Sequence, residues 1–319
     1  MPASRQSNST QSCDAPAPSG RGLLLGRDGK IHREAVEYNV VDHCNLSCAG
    51  CDHFAPHLAR RFSDVEAFAA DMRALSPYLH ARILRLVGGE PLLHPELPSF
   101  IRAARDSGIA DEVWLWTNGL LLHAADPRLL ESVDVVRVSL YPGVRIRADL
   151  SLLAQQLERS GRSRLQVVRV EKFFHQLLNA PRADVSEVRR TYLQCRETHV
   201  WSCHTVHAGR YYKCTKPATL AQRLAAHGVN ASDAARDGVP LHDNPCLAED
   251  LEQYLLSLEP LRACASCLGT DGKSFRHHQL DAAGLREERR AGVDGRTAVA
   301  HPVKRFLRGL RDGLGRSRQ

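Results

Sequence analysis

The sequence predicts an α/β fold built around a parallel sheet, and three observations support this. The chain has 319 residues, of which 43% are hydrophobic, so it can bury a sizeable core. Short stretches rich in Val, Leu and Ile alternate with segments of helical periodicity, as in repeated βα units. The residues with the most distinctive chemistry directly follow the strand-like stretches, and parallel sheets carry their sites at the carboxyl ends of their strands.

The alternation starts after a polar N-terminal arm, residues 1–33, and fills residues 34–185. The predicted strands are Glu37–Val41, Ile83–Val87, Glu112–Trp116, Asp134–Leu140 and Leu165–Val170. The predicted helices between them are Asp64–Ser76, Pro95–Asp106, Pro127–Ser132 and Leu150–Arg159. Strands joined by helices in this way are typical of a parallel sheet.

The pattern changes in residues 186–284, which are predicted to form a small C-terminal α+β domain. Thr198–Thr205 and Arg210–Lys213 read as a β-hairpin with Gly209 at its turn, followed by cysteine-bearing loops and short helices. In the last segment, residues 285–319, apolar residues recur at helical spacing between basic ones. This pattern predicts a basic amphipathic tail.

The net charge is concentrated in that tail. The chain carries +7, from 43 Lys and Arg against 36 Asp and Glu, and residues 286–319, with ten basic and four acidic residues, account for +6 of it. The nearly neutral body argues against a nucleic-acid-binding groove. No apolar run approaches the roughly 20 residues that a transmembrane helix needs.

The cysteine content indicates free thiols rather than a disulfide scaffold. Ten cysteines make up about 3% of the chain, well below the roughly 8–10% of disulfide-rich secreted domains. The first 20 residues lack the apolar segment of a signal peptide. We therefore expect a cytoplasmic, reducing compartment in which thiols serve metal binding or catalysis.

Three cysteines follow the first predicted strand in a CxxxCxxC pattern: Cys44, Cys48 and Cys51. Three thiolates within eight residues of loop can face one point, and thiolates select iron–sulfur clusters or zinc. Three protein ligands on a four-iron cluster leave one metal position open for a small molecule. A zinc site with His43, His53 or His57 as a fourth ligand is the alternative.

The second strand runs into a glycine-rich loop, Gly88, Gly89, Glu90 and Pro91, where backbone is expected to come close to a ligand. The third strand ends in Thr117-Asn118-Gly119. With CxxxCxxC after the first strand and GGEP after the second, the chain resembles the radical S-adenosylmethionine enzymes. One departure is Gly50, because this family usually has an aromatic residue before the third cysteine; Phe54 is a candidate replacement.

The resemblance implies a partial (β/α)6 barrel in which Cys44, Cys48 and Cys51 hold a 4Fe–4S cluster. It further implies that S-adenosylmethionine binds the open iron and is reductively cleaved to a 5′-deoxyadenosyl radical. Its binding residues would be Gly88, Gly89, Glu90, Pro91, Asn118 and Ser139. Ser139 could equally be an ordinary strand serine.

Four later cysteines form a second candidate ligand set: Cys195, Cys214, Cys264 and Cys267. Their number completes the coordination of one more 4Fe–4S cluster. Their spacing around Gly209 resembles the SPASM or twitch extension of the same family, and the absence of cysteine after Cys267 favours the shorter twitch form. A four-cysteine zinc site is the alternative.

Three cysteines remain unassigned: Cys13, Cys203 and Cys246. Cys203 and Cys246 are candidate hydrogen-atom donors to a substrate radical, although a buried inert thiol is the commoner fate. The histidines near the auxiliary cysteines, among them His204 and His277, are expected to be solvated loop residues.

These patterns favour a radical S-adenosylmethionine oxidoreductase that acts on a small polar molecule, such as a sugar or aminocyclitol, by dehydrogenation or epimerisation. A one-electron donor such as flavodoxin or ferredoxin is then required. The first alternative is a maturase of ribosomal peptides; only about 35 residues precede the first strand, short for a peptide-binding module. The second is a non-catalytic iron–sulfur or zinc protein.

Overall fold

The computed structural model describes residues 24–178, 181–225 and 234–291. Most of the predicted N-terminal arm, including Cys13, and most of the predicted basic tail lie outside the described residues. The first ordered strand begins at Ile31, earlier than the predicted Glu37, because its first residues already pair with the second strand from Ile31 onward.

The structure alternates strands and helices as the sequence predicts. The strands are β1 (Ile31–Val41), β2 (Leu79–Gly88), β3 (Ala110–Thr117), β4 (Val135–Leu140), β5 (Arg164–Arg169), β6 (Lys172–Phe174), β7 (Thr205–His207), β8 (Arg210–Tyr212), β9 (Val239–Pro240) and β10 (Ser274–Arg276). The α-helices are α1 (Val65–Leu75), α2 (Leu97–Ser107), α3 (Pro127–Glu131), α4 (Leu150–Arg159), α5 (Val185–Gln194), α6 (Arg196–His199), α7 (Lys216–Ala225), α8 (Leu247–Leu256) and α9 (Ala282–Ala291). Short 3₁₀ helices span Ala55–His57, Pro91–Leu93, Leu122–Ala124, Ala234–Asp237, Arg262–Ser266 and Gly269–Asp271.

Eight strands form one sheet in the order β5-β4-β3-β2-β1-β7-β8-β9. Strands β1 to β5 are parallel to their neighbours, and β7 also pairs parallel with β1. This large parallel sheet with helices confirms the predicted α/β class. β6 lies apart, paired antiparallel with β10, so it does not extend the main sheet.

The predicted hairpin is present but shorter. The segment from 198 to 204 is not a strand, because α6 occupies Arg196–His199 and β7 starts only at Thr205. The turn between β7 and β8 uses Ala208 and Gly209, both with positive φ, the geometry of a tight two-residue hairpin turn. Through β7 the hairpin continues the main sheet, whereas a separate small domain was expected. A twitch-type domain of residues 186–284 therefore stays a prediction.

Helices α1 to α4 pack apolar side chains against one face of the sheet. Aspartates cap four of the helices: Asp64 of α1, Asp126 of α3, Asp149 of α4 and Asp184 of α5 each accept hydrogen bonds from the first turn. Leu84 and Leu86 of β2 point into the apolar layer under these helices. None of the helices in the described ranges is long and apolar enough to cross a membrane.

Alternate residues point to the opposite face, where several are polar. The strand register places Glu37 beside Arg85, and Trp116 beside Arg137. These side chains lie in the middle of the strands, one row before the loops at the carboxyl ends.

Candidate active site

The loop after β1 carries the first three cysteines. Cys48 is buried, and Cys44 and Cys51 are half-buried. Backbone N–H of Leu46 donates to Cys44 Sγ at 3.4 Å. Cys51 raises the pKa of Cys44, and Cys44 and Cys51 raise that of Cys48, so the three thiols lie near one another, as the CxxxCxxC spacing predicts.

These thiols fit a cationic metal centre. Burial raises the pKa of Cys44 to about 11 and that of Cys48 to about 12, and neighbouring cysteines raise both. A thiol with such a pKa stays protonated at neutral pH, whereas coordination to a cation deprotonates it. Nearby, both ring nitrogens of the buried His43 have no hydrogen-bond partner.

The glycines of the next loop make room for the cysteine loop itself. A Cβ on Gly88 would lie 2.2 Å from Val41 O, and one on Gly89 would lie 1.9 Å from His43 O. Gly88 also has a φ of 131°, which L side chains rarely adopt. The sequence suggested a close approach of backbone to a ligand; the close approach in the structure is to the chain that leads into Cys44.

Glu90 joins this loop to the end of β3 by hydrogen bonds. Its carboxylate is fully buried and accepts hydrogen bonds from Thr117 Oγ1 at 2.7 Å, Asn118 N at 2.8 Å and Leu92 N at 3.1 Å. Burial raises its pKa to about 7, against these three donors. The Glu90 side chain therefore has structural partners, and Pro91, also buried, starts the following 3₁₀ helix.

Asn118 and Ser139 end up near the same cysteines. Asn118 Nδ2 donates to Asn45 Oδ1 at 2.7 Å and to Cys44 Sγ at 3.5 Å. Ser139 is a hydrogen-bond partner of Tyr141, whose pKa is raised by burial and by the three cysteines. Both residues that were predicted to bind S-adenosylmethionine thus lie close to the cysteine loop.

The C-terminal segment after β10 covers the cysteine loop, which the sequence did not predict. Gln279 Nε2 donates to Cys48 Sγ at 3.2 Å and to His277 Nε2 at 3.1 Å. The His277 ring stacks on Tyr141 at a centroid distance of 4.6 Å. His277 is therefore buried, contrary to its predicted solvated position.

Gly50 leaves room for an aromatic ring from this segment. A Cβ on Gly50 would lie 2.8 Å from Cζ of Phe275. Phe275 stacks in turn on His175, with ring centroids 4.2 Å apart. Phe54, the candidate from the sequence, is buried and its ring is 5.1 Å from that of His57. The ring beside position 50 thus belongs to Phe275.

The four later cysteines meet around one small cavity, as their pattern predicts. It is lined by Thr191, Tyr192, Cys195, Glu197, Thr198, Cys214, Lys216, Ala263, Cys264, Cys267 and Gly269. Gly269 N donates to Cys267 Sγ at 3.2 Å, and a Cβ on Gly269 would lie 3.2 Å from Cys195 Sγ. Burial raises the pKa of Cys267 to about 12. The chemistry of this donor set fits a second metal centre.

A buried lysine lies between the two cysteine groups. Lys216 Nζ is 2.9 Å from Asp52, the residue after Cys51, and 3.6 Å from Glu197. Both Lys216 and Glu197 line the cavity of the later cysteines. No sequence pattern predicted a role for Lys216, because its partners are distant along the chain.

The two candidate hydrogen-atom donors, Cys203 and Cys246, differ in oxidation state. Cys203 is a free thiol whose pKa is raised well above its usual value by burial, then by Glu37 and Glu197. Cys246 is disulfide-bonded, so in this state it has no S–H hydrogen to donate. His204, predicted to be solvated, is fully buried, and burial lowers its pKa to about 3.

Within the ranges that the structure covers, neither cysteine group is drawn tightly enough to hold a single metal ion such as zinc, so the fit of both groups to a metal centre rests on the type and number of their thiol donors.

The first part of the chain is similar to known proteins. A family model described as a 4Fe-4S single cluster domain matches residues 33–147. GTP 3',8-cyclase of Chlorobaculum tepidum is 36% identical over 120 residues, which cover 37% of this chain and 36% of the relative. GTP 3',8-cyclase of Rhodopirellula baltica is 32% identical over 142 residues and 38% of each chain. The chain thus spans little more than a third of the length of these curated relatives.

The similarity to solved structures is weak. The crystal structure of BtrN in complex with AdoMet and 2-DOIA has a TM-score of 0.43 and 13% identity, covering 73% of this chain and 92% of BtrN. Streptococcus suis SuiB bound to S-adenosylmethionine has a TM-score of 0.35 and 17% identity, covering 43% of this chain and 33% of SuiB.

The cysteine and glycine motifs, their convergence in the structure and the match of residues 33–147 lead to one assignment. They support a radical S-adenosylmethionine enzyme, with a 4Fe–4S cluster and S-adenosylmethionine as its cofactors.

Proposed function

We propose that this protein is a radical S-adenosylmethionine oxidoreductase or epimerase that acts on a small polar substrate. Cys44, Cys48 and Cys51 would hold the cluster, with Asn118 and Gln279 donating hydrogen bonds to its sulfur ligands. Given an electron, the bound cofactors supply a 5′-deoxyadenosyl radical that abstracts hydrogen from the substrate. A flavodoxin or ferredoxin is the class of donor that would provide this electron.

The observation that carries the proposal is the polar face of the sheet between the two cysteine groups. Glu37 and Arg85 form an ion pair there at 2.8 Å, with side chains 5% and 11% exposed. An enzyme acting on an apolar substrate would not retain such desolvated charges at this position, because charges are costly to bury. A polar substrate can replace the water that these groups lose.

Cys203 is suited to return a hydrogen atom. It lies near Glu37 and Arg85, and its raised pKa keeps the S–H hydrogen on sulfur at neutral pH. This favours epimerisation, in which a thiol delivers hydrogen to the opposite face of the substrate carbon. Ser139 and Tyr141 would orient the substrate or S-adenosylmethionine from the β4 side.

The later cysteines, Cys195, Cys214, Cys264 and Cys267, would hold an auxiliary cluster of the twitch type. If the reaction is a dehydrogenation, this cluster takes the second electron from the substrate radical. The zinc alternatives for both cysteine groups are separated by metal analysis: the proposal expects about eight iron atoms and no zinc per chain after anaerobic reconstitution.

The test is an anaerobic assay for 5′-deoxyadenosine with reconstituted protein, S-adenosylmethionine and a strong reductant. Absence of 5′-deoxyadenosine with fully loaded clusters would leave a non-catalytic iron–sulfur protein. Once a substrate is found, product analysis in deuterated buffer separates the outcomes. Deuterium at an inverted carbon supports epimerisation through Cys203, and an oxidised product without deuterium supports dehydrogenation.

Two other substrates belong in the same assay. A ribosomal precursor peptide tests the maturase alternative. GTP tests the activity in the name of the curated relatives, which match only the first part of this chain. A product from either would replace the proposed substrate class while leaving the radical chemistry in place.

A further inference from the structure

Two arginines enclose a tryptophan on the polar face of the sheet. The guanidinium carbon of Arg85 lies 5.0 Å from the centroid of the Trp116 ring, and that of Arg137 lies 4.2 Å from it. Each arrangement is a cation–π contact, strongest where water is excluded. Trp116 therefore holds two positive charges close together.

Only one of these charges is neutralised. Arg85 Nη1 is 2.8 Å from Glu37 Oε1, and its guanidinium also donates to Trp201 O. Arg137 forms no ion pair with any carboxylate of the described residues; its Nη1 donates to Gln166 Oε1 at 3.2 Å. The Nε of Arg137 is buried without a hydrogen-bond partner.

A neighbouring arginine on the same face of the sheet has its charge paired with a carboxylate. Arg164 lies over the Trp114 ring at 5.9 Å, and its Nη2 is 2.9 Å from Glu112 Oε1. Arg164 therefore has both an aromatic ring and a carboxylate. Arg137 has the ring alone, although it is the less exposed of the two.

The place of Arg137 relative to the cysteine loop fits a substrate contact. Two residues further along the same strands, Ser139 reaches Tyr141 beside the cysteines, and Asn118 reaches Cys44. Two residues of strand correspond to about 7 Å. Arg137 is thus one row of side chains away from the residues at the cysteine loop.

We propose that Arg137, backed by Trp116, binds an anionic group of the substrate, a carboxylate or a phosphate. Of the five N–H donors of its planar guanidinium, one is bonded to Gln166, and the fork of paired N–H groups matches the paired oxygens of either anion. With Arg85 already paired to Glu37, the local excess is one positive charge, which one singly charged anion neutralises. This inference rests on the proposed function and specifies its substrate class.

Calorimetric titration tests this anion site with two probes, inorganic phosphate and acetate. The titrations use the reconstituted full-length protein with S-adenosylmethionine bound, at constant ionic strength. Binding of phosphate or of acetate to the wild type identifies the preferred anion. Arg137→Gln should weaken that binding about 10- to 100-fold, the effect of losing a charge-assisted hydrogen bond. Arg137→Lys should retain part of it, because the charge remains without the fork.

Arg164→Gln is the matched control, since it also removes an arginine stacked on tryptophan, and it should change binding less than twofold. Iron content and thermal unfolding of each variant show whether it is folded. The inference is overturned if neither probe binds the wild type, or if folded Arg137→Gln binds as well as wild type. Because 5′-deoxyadenosine formation is measured separately, failure of the anion site and failure of the radical chemistry are distinguishable.

Discussion

The buried carboxyl of Glu90 should make the stability of the protein depend on pH. Its folded pKa is about 7, against an ordinary value of 4.5, because burial disfavours the charged form. A carboxyl with a raised folded pKa binds its proton more tightly in the folded state. Its contribution is therefore fully present below about pH 4.5 and is lost as pH rises from 4.5 to 7. At about 1.4 kcal/mol per pH unit, the loss amounts to about 3 kcal/mol.

Glu90→Gln removes this titration. The glutamine keeps one acceptor oxygen, but its NH₂ group faces either the Asn118 N–H or the other donors, so one hydrogen bond is lost at every pH. We expect the variant to be less stable than wild type at pH 4.5, and this deficit to shrink by about 3 kcal/mol by pH 8. Urea unfolding of reduced, iron-free protein at several pH values measures it.

Glu96→Gln is the control for the exchange of Glu for Gln itself, because Glu96 is exposed and lies six residues further along the chain. A difference between wild type and Glu90→Gln that stays constant from pH 4.5 to 8 would contradict the reasoning. It would mean that the three hydrogen-bond donors outweigh burial and hold Glu90 ionised throughout.

Three further predictions concern the cysteine sites. Gly89→Ala should displace the backbone at His43, lower the free energy of unfolding by about 1–3 kcal/mol through overpacking and lower the iron content. Gly161→Ala is its control, because the space around Gly161 is open. It should change stability only by the strain of its positive φ, about 1–2 kcal/mol. Cys264→Ala should preserve 5′-deoxyadenosine formation but abolish substrate turnover; equal loss of both would refute separate roles for the two cysteine groups. Phe275→Ala should weaken S-adenosylmethionine binding in equilibrium titrations about 2- to 13-fold, as expected for loss of an aromatic contact of about 0.5–1.5 kcal/mol, and unchanged binding would show that the ring only fills the space beside Gly50.

Local sequence patterns were sufficient for the main sheet. The predicted helix Leu150–Arg159 is observed with the same bounds, and the predicted strand Leu165–Val170 differs from β5 by one residue at each end. These elements have clear periodicity and caps, so their signal is contained in neighbouring residues. The prediction of a strand over 198–204 was wrong, because the segment belongs partly to α6 and otherwise to turn and loop.

The cysteine site was predictable only in part, for a physical reason. Cys44, Cys48 and Cys51 lie in one loop, and their spacing alone brings the thiols together. The hydrogen bond from Gln279 to Cys48 joins residues 231 positions apart, and no local pattern encodes such a contact. For the same reason the burial of His277 could not be predicted, since it depends on Tyr141 from a distant strand.

The segments after residue 185 contribute to the first cysteine site as well as to the second. β7 pairs with β1, the strand that leads to Cys44, and the segment after β10 bonds to the loop of Cys48. Lys216 adds an ion pair to Asp52 beside Cys51 while lining the cavity of the later cysteines. Burial raises the pKa of Cys51 and of Cys267, and the positive charge of Lys216 between the two groups of thiols offsets part of that rise in both. The segments after residue 185 therefore contribute packing and charge to both cysteine sites, while each site keeps its own set of thiol ligands.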